Sequence, residues 1–316
     1  MQTLPIIGVD VAKDHLVIAF ADVPAVQTIA NSKAAIAQWL KTVPAGARLG
    51  VEATGRYHQT LVELAHRHGC VVYLLNPKDC QHYFAATGAR AKTDRIDAQL
   101  IARFIARESG PLRPYVPLTP AHQGALALLR RRAKLIAVKG TLRQSFAGLR
   151  GVGSELKAVL ARIDALLAKI DARLAAFIAA DERRAEQAKA LQTIVGVGPL
   201  TSTGLLLTLS RGDFPHADSF VAYTGLDLRV KDSGKKRGSR SLTKRGHGEL
   251  RRLLYTAAMA ASRSHAWRPV YAHYCQRGFT RIQALVILAR RIAKTAWSIY
   301  KHGSTFDPER LTKALT

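Results

Sequence analysis

Strand and helix signals alternate over the first third of the chain, and this constrains the fold more than any other feature. Residues 5 to 30 read as three consecutive short strands: PIIGVDV, then HLVIAFA after the turn-like Lys13-Asp14, then a weaker run through Val26 and Ile29. Such a succession predicts a meander. Asn31-Ser32 caps an apolar-periodic helix through Ile36, Trp39 and Leu40, and Pro44-Ala45-Gly46 leads into a buried strand from Arg48 to Glu52. A helix from about Tyr57 to His68, a strand from Cys70 to Leu75 stopped by Asn76-Pro77, and helices from Lys78 and from Thr93 continue the alternation.

Three strands, a helix, a strand and then further alternation is the order of the ribonuclease-H-like fold, so residues 1–115 are expected to form such an α/β domain. From about Thr119 the chain turns helical. Leu126, Leu129, Leu135, Val138, Leu142 and Phe146 lie on a first long helix. A second, with Ser154 as its expected N-cap, places Leu156, Val159, Leu160, Ile163, Leu166, Leu167, Ile170, Leu174 and Phe177 on one stripe at spacings of three and four. Residues 116–185 therefore form either an antiparallel hairpin or an intermolecular coiled coil, and the pattern does not choose. Residues 186–316 are expected to be a mainly α C-terminal domain. It opens on Ile194-Val195-Gly196-Val197-Gly198, which resembles a helix-hairpin-helix turn whose glycines let backbone amides approach phosphate; a plain Gly-rich linker fits as well. A polar, basic loop from Arg229 to Lys244 and helices over about Glu249–Ser262 and Thr280–Tyr300 follow.

The chain carries 48 Lys and Arg against 22 Asp and Glu, a formal charge of +26, which points to a polyanionic partner. Its three cysteines, Cys70, Cys80 and Cys275, are an odd number without a CxxC pair, which disfavours a disulfide framework and a zinc knuckle and suits the cytoplasm. The first residues lack an export pattern, and no stretch is apolar for long enough to cross a bilayer.

Against this basic background four acids stand out. Asp10 lies in the first strand in an apolar context where an unpaired carboxylate is costly. Glu52 ends another strand just before a turn. Asp94 and Asp97, three apart, share one face of a helix. Strand ends and a helix face can converge, and a carboxylate cluster supplies hard oxygen ligands for Mg²⁺, which orients a scissile phosphate and stabilises charge on its oxygens. Taken singly, each acid also reads as a helix-capping or turn residue. In the C-terminal part, Arg229 to Arg252 holds ten Lys or Arg against Asp232 and Glu249. Lys231, Lys235, Lys236, Arg237, Arg240, Lys244, Arg245, Arg251 and Arg252 are the expected phosphate contacts. Among them Ser233-Gly234 offers a hydroxyl amid cations that favour its alkoxide, although Ser-Gly is equally an ordinary turn. Aromatics are 7% of the chain, so broad base-stacking platforms are not expected, and Tyr57, Tyr83 and Trp267 read as core or local packing.

Seven motifs taken together carry a family resemblance over nearly the whole chain. They are Gly8-Val9-Asp10-Val11-Ala12-Lys13, Val51-Glu52-Ala53-Thr54-Gly55-Arg56-Tyr57, Leu75-Asn76-Pro77, Lys92-Thr93-Asp94-Arg95-Ile96-Asp97-Ala98, Ile194 to Gly198, Phe220-Val221-Ala222-Tyr223-Thr224-Gly225-Leu226 and Gly246-His247-Gly248-Glu249-Leu250-Arg251-Arg252. In these the chain resembles the bacterial transposases of the IS110 insertion-sequence family and its IS1111 subgroup, the bridge-RNA-guided recombinases. The resemblance implies a RuvC-like domain whose Asp10, Glu52, Asp94 and Asp97 bind Mg²⁺, a coiled-coil arm, and a C-terminal transposase domain with Ser233 as nucleophile, matched by its Ser-Gly context beside Ser239 and Ser241. It further implies strand exchange between donor and target DNA through a covalent phosphoserine link, guidance by a structured non-coding RNA from the element, and assembly into dimers and tetramers in a bacterial, nucleoid-associated setting. Two other readings remain open: a hydrolytic RuvC-like junction resolvase, for which Ser233 is dispensable, and a non-enzymatic nucleic-acid scaffold whose carboxylates only cap helices.

Overall fold

A computed structural model describes residues 4–53, 57–87, 93–110, 112–230, 240–246 and 248–312. The chain divides into two compact units, Met1–Pro117 and Leu118–Thr316. The first holds β1 (Ile6–Val11), β2 (His15–Phe20), β3 (Val23–Ala30), α1 (Lys33–Leu40), β4 (Arg48–Glu52), α2 (Gln59–Arg67), β5 (Val71–Leu75), α3 (Pro77–Ala86) and α4 (Asp94–Glu108). The strands form one mixed sheet in the order β3-β2-β1-β4-β5. β1 runs antiparallel to β2 and parallel to β4, β2 antiparallel to β3, and β4 parallel to β5. This is the ribonuclease-H-like arrangement expected from the order of elements.

Both faces of the sheet are covered, as alternation along each strand requires. Ile7, Val9, Leu49, Val51 and Val72 point to one side and pack with Ile36, Trp39, Leu61 and Val62 of α1 and α2. Tyr73 and Leu75 point to the other side with Cys80 of α3 and Ile101 and Ile105 of α4, as do Val17 and Ala19 with Ala98. Side-chain caps start three of the helices: Ser32 accepts from the Ala35 amide, Asn76 from Lys78 and Thr93 from Ile96.

The second unit contains α5 (Pro120–Ser145), α6 (Gly153–Ala179), α7 (Glu182–Gln192), α8 (Pro199–Leu209), α9 (Ala217–Thr224), the strands β6 (Leu228–Val230) and β7 (Arg240–Leu242), then α10 (Gly248–Ala261), α11 (Arg268–Gln276), α12 (Arg281–His302) and α13 (Glu309–Thr312). α5 and α6 pair within the chain. Arg132 bonds Asp171 and Lys139 bonds Asp164, so one heptad forward on α5 matches one heptad back on α6, the register of an antiparallel hairpin. Ser154 does not cap α6: the helix already includes Gly153, follows Val152 without a side-chain cap, and the Ser154 hydroxyl donates to Glu155 instead. Ala125 and Leu129 of α5 and Ile170 and Leu174 of α6 pack with Leu207 of α8 and Leu253 of α10, which places the base of the hairpin in the same unit as the C-terminal helices.

α8 is buried along Thr201–Leu209 and forms the centre around which the other helices gather. Gly196, at positive φ, forms the turn between α7 and α8; a Cβ there would stand 2.5 Å from the Ala257 carbonyl oxygen, so the turn is fitted against α10. Trp267 is fully buried and stacks on Phe306, and Tyr83 stacks on Phe104, as their reading as packing residues requires. Tyr57 is exposed instead, and its backbone carbonyl accepts from the Asn31 side chain. Among the described residues no helix is long and apolar enough to cross a membrane.

Candidate functional site

The pairing of β1 with β4 sets the site. Gly8 stands opposite Gly50 and Val9 opposite Val51, so Asp10 and Glu52 reach the same level at the C-terminal ends of adjacent parallel strands. Asp10 lies two residues beyond Gly8, and Glu52 two beyond Gly50, so each acid shares its glycine's face of the sheet. That face receives α4. A Cβ on Gly8 would meet the Ala102 nitrogen and the Ala98 carbonyl oxygen at 2.2 Å, and one on Gly50 would meet Ile105 Cγ1 at 2.4 Å. Two hydrogen-only positions therefore let the helix lie against the strands, and its first turn, with Asp94 and Asp97, comes to the edge that Asp10 occupies.

Three consequences of this placement can be read from the side chains. Asp94 Oδ2 stands 3.2 Å from Nε2 of His15, at the start of β2, which ties the beginning of α4 to the β1–β2 turn. Burial, then the negative charges of Asp94 and Asp97, push the Asp10 carboxyl above the usual carboxylate range. The Cys80 thiol, on α3 behind the same edge, is pushed up to about 12, first by burial and then by Glu52, with Asp97 contributing. Asp97 is itself buried on α4. The four acids thus share one edge of one sheet face, and Asp97 is felt from both the Asp10 and the Glu52 side. Among the described residues, no three His, Cys, Asp or Glu side chains stand close enough together to hold a metal ion as they lie.

The donor set nonetheless fits a hard divalent cation. All four candidates are carboxylates, the ligand type that Mg²⁺ prefers, and negative charge accumulates around a partly buried Asp10. The acids of α4 also sit in its first turn, where the helix dipole favours negative charge.

In the second unit, Ser233 and the cations Lys231, Lys235, Lys236 and Arg237 lie outside the described residues, as do Ser239 and His247. What flanks residues 231–239 is a two-stranded ribbon in which Leu228 pairs with Leu242 and Val230 with Arg240. Its base is held firmly. Thr243 donates its amide and its hydroxyl to Asp227, and the Lys244 amide bonds the Gly225 carbonyl. Arg251 gives its guanidinium to the carbonyls of Thr224 and Gly246 at 3.0 and 2.5 Å, and Arg252 makes two bonds to the buried Glu249 at 2.7 and 2.8 Å. Arg251 thus braces the base of the ribbon, the Arg252–Glu249 pair lies within α10, and Arg240, Lys244 and Arg245 are exposed.

The seats at Gly8 and Gly50, the His15 tie and the buried Cys80 were missed in the sequence. The glycines had a signal: each stands two residues before a strand-end acid. The bracing role of Arg251 had none, because a cation in a basic run carries no mark of the carbonyls it meets.

A model for DEDD transposases of IS110, described as "Transposase", matches residues 7–147, and the model "Transposase IS116/IS110/IS902 family" matches residues 188–274. The chain is 28% identical to the "Pilin gene-inverting protein" of Moraxella bovis, over 81% of each chain. It is 26% identical to the "Transposase for insertion sequence element IS1111A" of Coxiella burnetii, covering 97% of this chain and 92% of that one. A solved structure of T. thermophilus RuvC in complex with a Holliday junction substrate matches 35% of this chain and 99% of its own at 17% identity, with a TM-score of 0.28.

Proposed function

Since the chain belongs to the IS110/IS116/IS902 transposase family, and is thus an insertion-sequence DNA transposase, we propose that it exchanges DNA strands through Ser233, with Asp10, Glu52, Asp94 and Asp97 holding Mg²⁺ at the edge of the sheet. The observation that carries the acidic half of this reading is the shared level of Asp10 and Glu52 on the face that α4 covers. Bound there, the cation supplies charge stabilisation for a phosphate under attack.

The rest falls to the chain's own groups. The Ser233 Oγ attacks the scissile phosphorus, losing its proton as the new O–P bond forms, while the DNA oxygen that leaves takes up a proton. One phosphodiester is exchanged for another, so the bond energy is kept. A hydroxyl of the partner strand then attacks the phosphoserine, reseals the DNA and returns the serine. Arg251 braces the base of the ribbon β6–β7, and the exposed cations Arg240, Lys244 and Arg245 bind phosphates.

The charge of +26 suits an element-encoded structured RNA bound together with donor and target DNA, base pairing of the RNA then choosing the sites. Assembly into dimers or tetramers through the α5–α6 hairpin, and a cytoplasmic, nucleoid-associated location, complete the reading. The experiment is recombination between donor and target DNA with the element's RNA and Mg²⁺, comparing wild type with Asp10→Asn, Glu52→Gln and Ser233→Ala. All three variants are expected to lose recombinants by at least about a hundredfold. Full cleavage by Ser233→Ala together with its loss in Asp10→Asn would instead identify a hydrolytic nuclease.

A further inference from the structure

The second unit contains a cavity of about 500 Å³ that the reaction above does not use. It lies between one stripe of α12, the Tyr274 end of α11 and the segment Ser304–Leu311. The positions that α12 contributes, including Arg290, Arg291, Lys294 and Ser298, recur at three and four residues, so a single helix face builds one wall. Arg310 adds a fourth cation from the opposite side, against one lining carboxylate, Asp307.

These cations are not equally engaged. Lys294 pairs with Asp218 at 2.7 Å and Arg310 with Asp307 at 3.3 Å, both in solvent-exposed pairs of the kind that exchange readily. Arg291 donates to the Tyr274 hydroxyl at 3.0 Å, which fixes the direction of its guanidinium. Arg290 differs: its Nε is buried and, among the described residues, has no hydrogen-bond partner. A buried guanidinium donor without an acceptor, in a concave site with net positive charge, calls for an anion with several oxygens. The Ser298 and Thr305 hydroxyls add donors of the same use, and Tyr274 and Phe306 give the cavity aromatic walls.

We infer that this cavity binds one unstacked nucleotide of a single-stranded nucleic acid, its phosphate on Arg290 and its base against the Tyr274 wall. Size and shape choose the ligand. A concave site of this volume admits one nucleotide, whereas a base-paired one is held in its stack and presents its phosphates on a convex cylinder. A phosphate held by a guanidinium beside an aromatic wall is the common device for single strands. The inference does not depend on Ser233, and the nucleotide site and the strand-exchange chemistry stand or fall apart.

The test uses the full chain and a fluorescein-labelled oligouridylate. Arg290→Gln is expected to weaken binding about tenfold and to lower the slope of log affinity against log salt by ~0.7, the share of one single-strand phosphate. Arg263→Gln, which removes an exposed cation that does not line the cavity, should weaken binding less than Arg290→Gln. With wild type, an oligonucleotide carrying iodouridine should crosslink to the peptide containing Tyr274, and Ser233→Ala should keep that crosslink. The crosslink needs no variant and so remains decisive if Arg290→Gln fails to fold. Unchanged affinity and slope in a folded Arg290→Gln, or crosslinks that avoid the Tyr274 peptide, would overturn the inference. Arg290-dependent binding of adenosine monophosphate without any oligonucleotide crosslink at Tyr274 would overturn it in favour of a free-nucleotide pocket.

Discussion

At Gly8 an added methyl would strike backbone, the Ala102 nitrogen and the Ala98 oxygen, whereas at Gly50 it would strike the side chains of Ile105 and Ile101. Backbone of a packed helix cannot turn aside, but a side chain can change rotamer. Gly8→Ala should therefore cost more than about 2 kcal/mol and Gly50→Ala about 1 kcal/mol less, measured by urea unfolding; equal costs would contradict the seating of α4. Asp10 offers a second residue-scale prediction. Burial and the neighbouring Asp94 and Asp97 disfavour its charged form, so Asp10→Asn should raise the melting temperature in chelator. Mg²⁺ at a hundred times its dissociation constant should stabilise wild type by about 2.7 kcal/mol and Asp10→Asn by much less. The residue types of this site were legible in the sequence because a carboxylate in an apolar strand is costly and therefore conspicuous. The partners that hold them, His15 and the two glycine seats, come from register across strands, which no local pattern reports.

Ser32 starts α1 as expected, the helices expected from Lys78 and Thr93 begin at Pro77 and Asp94, and Ile170 and Leu174 of the α6 stripe pack with Ala125 and Leu129 of α5. α9, α11 and the ribbon strands escaped notice. They are short, and three-residue strands carry no period. Whether the long helices pair within one chain was equally hidden, because an apolar stripe fits any partner, and the ion pairs decide it. Reversing one charge, Asp171→Arg, should destabilise the hairpin, and adding Arg132→Asp should recover about 0.5–1 kcal/mol at low salt, with less recovered at high salt. A further element-scale contact is titratable. Nε2 of His122, near the start of α5, lies 2.9 Å from the Leu207 carbonyl oxygen of α8, and burial lowers its pKa below the ordinary 6.5. The ring stays neutral in the fold while the unfolded chain takes up a proton below 6.5. Its contribution is therefore complete above that pH and is lost as the pH falls through the lower folded value. Unfolding midpoints from pH 7.5 to 5 should fall more steeply in wild type than in His122→Gln.

For the whole molecule, the order of strands and helices in the first unit announced its sheet. For the chain as a whole, composition pointed to a polyanionic partner before any element did, through a net charge of +26. Sequence patterning suggested three segments, while the chain contacts gather into two units, because Leu129, Leu174, Leu207 and Leu253 join the hairpin base to the C-terminal helices. Strand exchange through Ser233 makes one demand that no other reading shares: wild type, stopped during the reaction and denatured, must carry DNA on a serine. The direct measurement is mass spectrometry of the nuclease-trimmed adduct from Mg²⁺-dependent reactions. The account predicts a nucleotide phosphate on the peptide that contains Ser233, absent from Asp10→Asn. Cleaved DNA with no protein attached, or an adduct on Ser239 or Ser241, would contradict it.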